Sequence, residues 1–278
     1  MTSHDVVHRV RRVLGVRSAG HTGTLDPFAT GLLVVLLGRA TRLARFVQGQ
    51  PKTYLATLQL GIQTDTDDLT GRVLATSPAA ATLSEARARE ELASFLGDQL
   101  QLPPQYSAKQ VGGERSYRRA RRGESTDLAP SPITIHHIEL VHCQPPELTF
   151  RTIVSAGTYV RALARDLGER LGVGAHLTQL RREAIGPLRV EDADPLDRLT
   201  LESVRPAHQV IRHLPTLMLD SAGRQEIVHG RAVRDVAGEA GTRGSGEEVA
   251  LIAAGDLVAV ARVEDGWLQP TVVLEQPS

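Results

Sequence analysis

One carboxylate, Asp26, sits within Gly20-His21-Thr22-Gly23-Thr24-Leu25-Asp26-Pro27-Phe28-Ala29-Thr30-Gly31, among glycines and small hydroxyl residues. Glycines remove the Cβ bulk that keeps a large ligand at a distance, so an acid placed here can meet one at close range. Pro27 fixes its own φ and biases Asp26 toward extended backbone. The apolar run from Leu32 to Leu37 reads as a buried strand, a rigid base for the loop. A single ionised carboxylate so presented can act as a nucleophile or as a base. A plainer reading stands beside this one, because Asp-Pro also starts ordinary turns in which the acid bonds its own backbone.

The elements that must position this loop follow from periodicity. Val6, Val7, Val10, Val13 and Leu14 recur at helical spacing behind Ser3 as cap, and Gly15 ends the helix. A short helix over 41–47 turns Leu43, Phe46 and Val47 inward. Tyr54, Ala56, Leu58 and Leu60 share one face of a strand over 53–60. The segment 64–71 reads as an acidic turn between strands. As a calcium loop it fails, since Leu69 stands at a ligand position and Thr70 at the glycine position. Ser84 caps a helix that buries Leu92, Phe95 and Leu96 and stops at Gly97. Pro103 and Pro104 hold an extended surface segment.

Strands over 133–141 and 148–154 come next. His136, His137, His142 and Cys143 lie there without metal-ligand spacing. A helix follows with the stripe Val160, Leu163, Ala164, Leu167 and Leu171, and Arg161 sits off that stripe in the first turn. A helical segment over 200–204 closes the main region. From about 215, strands over 249–253, 258–263 and 268–274 are joined at Gly255-Asp256 and Asp265-Gly266, with a Gly/Ser-rich loop over 238–246.

Composition bounds the answer. The chain has 278 residues, 41% of them hydrophobic, enough for one large domain or one large and one small. It contains no run of 18 apolar residues, so no membrane span is expected. The N-terminal residues are polar and lack the apolar core of a signal peptide. The one cysteine, Cys143, excludes an internal disulfide and fits a reducing cytoplasm, the expected location. Zero formal net charge and a pI near 7.2 argue against a surface that grips nucleic acid everywhere. Local clustering is therefore the informative quantity. The basic residues are arginines except for Lys52 and Lys109, an excess that coding bias alone can also produce. Arg115, Arg118, Arg119, Arg121 and Arg122 crowd eight residues with no acid between them. A helix over 114–122 places four of them on one face, which reads as a phosphate-contacting patch rather than a solvated face.

The string over 20–31 closely resembles the active-site signature of the bacterial TruB-type tRNA pseudouridine(55) synthases. Later landmarks resemble that family in order. Thr2-Ser3-His4-Asp5-Val6-Val7 looks like its first helix, and Lys52-Thr53-Tyr54 through Leu60-Gly61 like its second motif. Thr64-Asp65-Thr66-Asp67 with Gly71 looks like the turn after it. Phe95-x-Gly97 and Gln101-x-Pro103-Pro104-x-Tyr106-Ser107-Ala108 resemble the next block. Gly157-Thr158-Tyr159-Val160-Arg161 resembles the motif whose arginine pairs with the catalytic aspartate. Gly174-Ala175-His176-Leu177 and Leu180-Arg181-Arg182 complete the series. The family also places a strand and a Lys-Pro pair ahead of the first helix, whereas this sequence opens at Met1-Thr2. It has lysine where Gln110 stands here.

The resemblance implies an α+β fold. A mixed, largely antiparallel sheet with packed helices, the pseudouridine synthase fold, would occupy 1–214. A small PUA-like RNA-binding β-rich domain would occupy 215–278. It implies an isomerase that flips uridine-55 out of the T loop of tRNA and converts it to pseudouridine. Asp26 would be the catalytic carboxylate, Arg161 its partner, and Tyr54 the ring stacked on the flipped uracil. His21 would fill the vacated space, while Tyr159 and Leu180 line the uracil pocket, although both also suit plain core. Arg118, Arg119 and Arg122 would meet phosphates. No cofactor or metal is implied; the partner is the tRNA T stem-loop, with no membrane, and the enzyme would act as a monomer. Two other classes stay open. A non-catalytic tRNA-binding or chaperone protein of the same fold is opposed by the intact Asp26, Tyr54 and Arg161 set. A carboxylate glycosidase needs a second acid that the signature does not offer.

If the arginine cluster meets phosphates, replacing Arg119 and Arg122 together should flatten the salt dependence of tRNA binding by roughly 1.8 in log–log slope. An unchanged slope would mean a solvated face only.

Overall fold

The strand Lys52–Leu60 runs through the middle of the main sheet of this computed structural model, which describes residues 1–106, 110–111, 114–115, 122, 128–234 and 244–276. From one edge the strands run Leu188–Arg189, Ala175–Ile185, Lys52–Leu60, Glu147–Val154, Ser131–Gln144 and Gly97–Gln101, each antiparallel to its neighbours. The short strand Thr30–Gly31 joins alongside Arg181 and Arg182 in parallel. The mixed, largely antiparallel sheet expected from the sequence is therefore present. The two-residue alternation turns Tyr54, Ala56, Leu58 and Leu60 onto one face, where they meet Leu148, Phe150, Leu177 and Leu180. Two helices cover that face. Glu85–Ala93 contributes Ala88 and Leu92, and Val160–Arg170 contributes Val160, Leu163, Ala164 and Leu167.

Several local expectations change. The helix Ser3–Leu14 is capped by Thr2, which exchanges hydrogen bonds with Asp5 in a capping box, so Ser3 is released for a contact described below. Gly15 ends it in the left-handed region at φ +65°. The run after the signature forms a strand only at Val35–Leu37, which pairs with Ala19–His21. Leu96 is exposed rather than buried, because the helix ends at Ala93 and the chain turns before it. His136 and His137 are both exposed, because a bulge between Ile135 and His137 breaks the alternation. Glu114–Arg115 pairs as a strand with Gln110–Val111, so no helix starts at 114. Residues 116–121, with Arg118 and Arg119, lie outside the described residues, as does most of the Gly/Ser-rich loop.

A second sheet contains Thr216–Met218, Glu248–Ala253, Asp256–Glu264, Trp267–Val273 and Val233–Arg234, with the helix Ser221–Val228 packed on it. Its first hairpin turns at Ala254-Gly255, both at positive φ, one residue earlier than Gly255-Asp256. The sheet is fastened to the stretch after the signature. Leu36, Leu43 and Phe46 share one apolar cluster with Ile211, Ala250, Val260 and Val272. Around it Arg42 donates to the Val273 carbonyl at 2.9 Å and Arg45 to Glu248 at 2.7 Å.

Leu43 is fully buried in this shared cluster. Leu43→Ala should cost about 2–5 kcal/mol in chemical denaturation. Unchanged stability would show that the two sheets do not depend on this cluster.

Candidate active site

The signature loop is pinned from three sides. On the first, the Leu25 N–H donates to Ser3 Oγ at 2.9 Å, one residue before Asp26. On the second, a turn closed by the Ala29 N–H on the Asp26 carbonyl, at 2.9 Å, follows the acid. On the third, the loop leaves along Arg182. The Leu32 N–H donates to the Arg182 carbonyl at 2.8 Å, and Arg182 Nε donates back to the Leu32 carbonyl at 2.8 Å. The same guanidinium donates to the Gly23 and Thr24 carbonyls at 3.1 and 3.4 Å. Gly31 is required at the crossing. Its φ is +98°, and a Cβ there would stand 2.2 Å from the Arg182 carbonyl oxygen.

Arg161 meets the acid from the opposite side. Its Nε donates to Asp26 Oδ2 at 2.9 Å and one terminal nitrogen to Oδ1 at 3.2 Å, a bidentate fork. The same nitrogen donates to the Tyr106 carbonyl at 2.9 Å. The other donates to the Thr66 carbonyl at 2.9 Å and lies 3.5 Å from Asp68 Oδ2. The Arg161 side chain is 6% exposed and that of Asp26 is 30% exposed, so the acid alone faces outward. Arg161 is thus buried although it lies off the apolar stripe of its helix, because carboxylates and carbonyls replace its water. Asp68 is buried in its own turn and accepts from Thr66 Oγ1 at 2.7 Å, the Thr70 N–H at 2.9 Å and Thr70 Oγ1 at 2.6 Å.

Tyr54 stands opposite Arg182 across the central strands. Burial pushes its phenol up, the Arg182 guanidinium beside it pulls it partway back, and the Asp26 carboxylate adds to the rise. Tyr54 is therefore a neutral hydroxyl within the field of Asp26. Lys52 is pushed down to about 8 by burial and by Arg182, and it donates to the Gln48 and Gln50 carbonyls at 2.9 Å each. His21 is held below the ordinary imidazole range by burial first, then by Arg182 and His4, and its Nδ1 is buried with no hydrogen-bond partner.

The structure brings Asp26, Arg161 and Tyr54 together, with His21 on the same loop. Leu180 is buried opposite Ala56 in the core, and its carbonyl accepts from Thr30 Oγ1 at 3.5 Å. Tyr159 is tied at its backbone to both ends of the Gln101 amide, at 2.8 and 3.0 Å. Arg122 is exposed in a turn. Two residues missed by the sequence reading are Arg182 and Asp68. Both lay inside recognised motifs, but the charged Arg181-Arg182-Glu183 masked the strand Ala175–Ile185 that buries Arg182. Among the described residues no three of His, Cys, Asp and Glu converge to hold a metal ion. An open cleft of about 730 Å³ lined by Thr53, His137, Arg151 and Glu183 opens on the other face of the sheet and contains none of these groups.

The chain is similar to known proteins over most of its length. Residues 11–160 match the model for the "TruB family pseudouridylate synthase (N terminal domain)". Residues 161–219 match that for the "tRNA pseudouridylate synthase B C-terminal domain". The chain is 43% identical to tRNA pseudouridine synthase B of Arthrobacter sp. (strain FB24), covering 99% of this chain and 95% of that one. It is 43% identical to the protein of that name from Thermobifida fusca (strain YX), covering 98% and 94%. With the one from Burkholderia pseudomallei (strain 668) the identity is 39%, covering 97% and 92%. In fold it is similar to a chain of the archaeal box H/ACA sRNP Nop10-Cbf5 complex. The TM-score is 0.71 at 23% identity, covering 99% of this chain and 83% of that one.

The crossing of Gly31 and Arg182 is open to a direct test. Gly31→Ala should cost about 2 kcal/mol or more, since both the backbone conformation and the space forbid a Cβ. It should also lower turnover by displacing Asp26. Wild-type stability in denaturant would show that the loop can leave Arg182 without loss.

Proposed function

The chain belongs to the TruB family of pseudouridylate synthases, and on that premise we propose that it isomerises uridine to pseudouridine in tRNA, at position 55 of the T loop. The observation that carries the reading is the bidentate Asp26–Arg161 pair at 2.9 and 3.2 Å, with the acid as its outward member. The reaction breaks the N1–C1′ bond of uridine, turns the uracil over and joins C5 to C1′. The proton on C5 leaves and N1 gains one, so nothing is added or lost overall. Asp26 supplies the carboxylate, as nucleophile or as the base that takes a sugar proton. Arg161 orients both of its oxygens, so the acid needs no reorganisation when the base arrives.

The target base must leave the loop to reach Asp26, and extrusion costs a few kcal/mol, on the order of one stacking interaction or more. Tyr54 stacks on the extruded uracil, and its neutral hydroxyl relays the proton lost from C5. His21, an imidazole held neutral by burial, occupies the space left behind. Tyr159 and Leu180 flank the base, and Arg118, Arg119 and Arg122 meet phosphates of the T stem. The catalytic domain extends over 1–214 and a PUA-like RNA-binding domain over 215–278, acting as one monomeric unit in the cytoplasm. Among the described residues, no helix is long and apolar enough to cross a membrane.

The test is tritium release from a tRNA transcript labelled at C5 of uridine. The wild type should release tritium at one position, and a transcript lacking U55 should release none. Asp26→Asn should release none while still binding tRNA. Binding without release by the wild type would overturn the enzyme and leave an RNA-binding protein of the same fold.

A further inference from the structure

Arg161 and Arg165 lie one turn apart on the same face of the helix Val160–Arg170, where two like charges repel. Both arginines reach the same two segments. Arg161 binds the Thr66 carbonyl and Asp68 in the 64–71 turn, and the Tyr106 carbonyl beyond the two prolines. Arg165 binds Asp67 Oδ2 in that turn at 3.3 Å, and the Leu102 carbonyl ahead of the prolines at 2.9 Å. The pattern is a ladder with two rungs. The first rung carries Asp26, and the second does not touch it.

The second rung fixes what the first depends on. Three acceptors of Arg161 outside Asp26 come from the two segments that Arg165 also holds. Arg165 is itself oriented by Asp166, whose Oδ1 accepts from Nε at 2.9 Å. Asp67 takes a left-handed backbone at φ +59°, unusual for a residue other than glycine. That conformation turns the Asp67 carbonyl onto the Leu177 N–H of the main sheet at 3.0 Å while the side chain faces Arg165. Its carboxylate is 13% exposed. Burial pushes it up to about 6, against the pull of Arg165 and Arg161 and with the push of Asp166 and Asp68. Keeping this acid charged at neutral pH therefore works against folding stability, so its charge is not there for stability alone.

We propose that Asp67 and Arg165 are positioning residues for the isomerisation, locking the 64–71 turn and the 102–106 segment in the register that lets Arg161 grip Asp26 with both nitrogens. This rests on the reaction proposed above. Neither residue touches the reacting atoms. They act through Arg161, so their loss affects the chemical step and leaves RNA capture intact.

The test uses the full chain and the tritium assay, with Asp67→Asn and Arg165→Gln. Asn takes the left-handed backbone as readily as Asp, so Asp67→Asn removes charge alone. For Asp67→Asn we expect kcat to fall roughly ten- to a hundredfold, the scale set by misplacing a catalytic group by about an ångström. KM, tRNA affinity by filter binding and melting temperature should stay at the wild-type values. Arg165→Gln should lower kcat to a similar degree. Unchanged kcat in Asp67→Asn would overturn the proposal. So would a fall in kcat matched by a fall in melting temperature, which would make the rung structural only. No release by the wild type would instead overturn the proposed reaction, and this inference with it.

Discussion

A buried guanidinium must find an acceptor for every donor it withdraws from water, and the site is arranged around how Arg161 does so. Its four hydrogen bonds and one further ion pair reach three parts of the chain: the signature loop, residues Thr66 and Asp68 of one turn, and Tyr106 of another segment. These parts lie 55 to 135 positions from Arg161 in sequence. The arginine is the partner that these parts share. The outcome for Asp26 is orientation. A planar fork holds both carboxylate oxygens, which a flexible point charge does not do.

Arg182 performs the complementary task from within the sheet. It is 1% exposed and spends its donors on backbone carbonyls of the signature rather than on a carboxylate. Among the described residues no carboxylate pairs with it, and its charge is felt by its neighbours. It lowers His21, lowers Lys52 and tempers the rise of Tyr54. One buried cation thus shapes the loop and sets the electrostatics around it. A site with this field suits an anionic polymer whose target base carries carbonyl oxygens. The second sheet completes the support, because Leu36, Leu43 and Phe46 have their apolar faces covered by Ala250, Val260 and Val272. The stretch that leads away from the signature is therefore anchored at both ends.

Much of this was legible in the chain itself. Period-two alternation located Tyr54, Ala56, Leu58 and Leu60 on one buried face, and period 3.6 located the stripe from Val160 to Leu167. Asp-Gly at 265–266 marked its hairpin, because both residues must take positive φ. The signature singled out Asp26, and the resemblance of later motifs to those of the family singled out Tyr54 and Arg161. The errors share a cause. Ser3 reads as a cap, and Leu96 as core, from local pattern alone; a neighbouring Thr-x-x-Asp box and an early helix end decide otherwise.

What the sequence determined by itself is the set of elements and the residue types able to do the chemistry, because propensity, periodicity and turn geometry act over a few residues. What only the tertiary structure decided is which polar groups are buried together. Arg161 lies off its apolar stripe, Arg182 lies in a charged run, and Asp67 and Asp68 lie in a turn that resembles any acidic turn. Each is buried because partners distant in sequence replace the water it loses, and that exchange has no local signal.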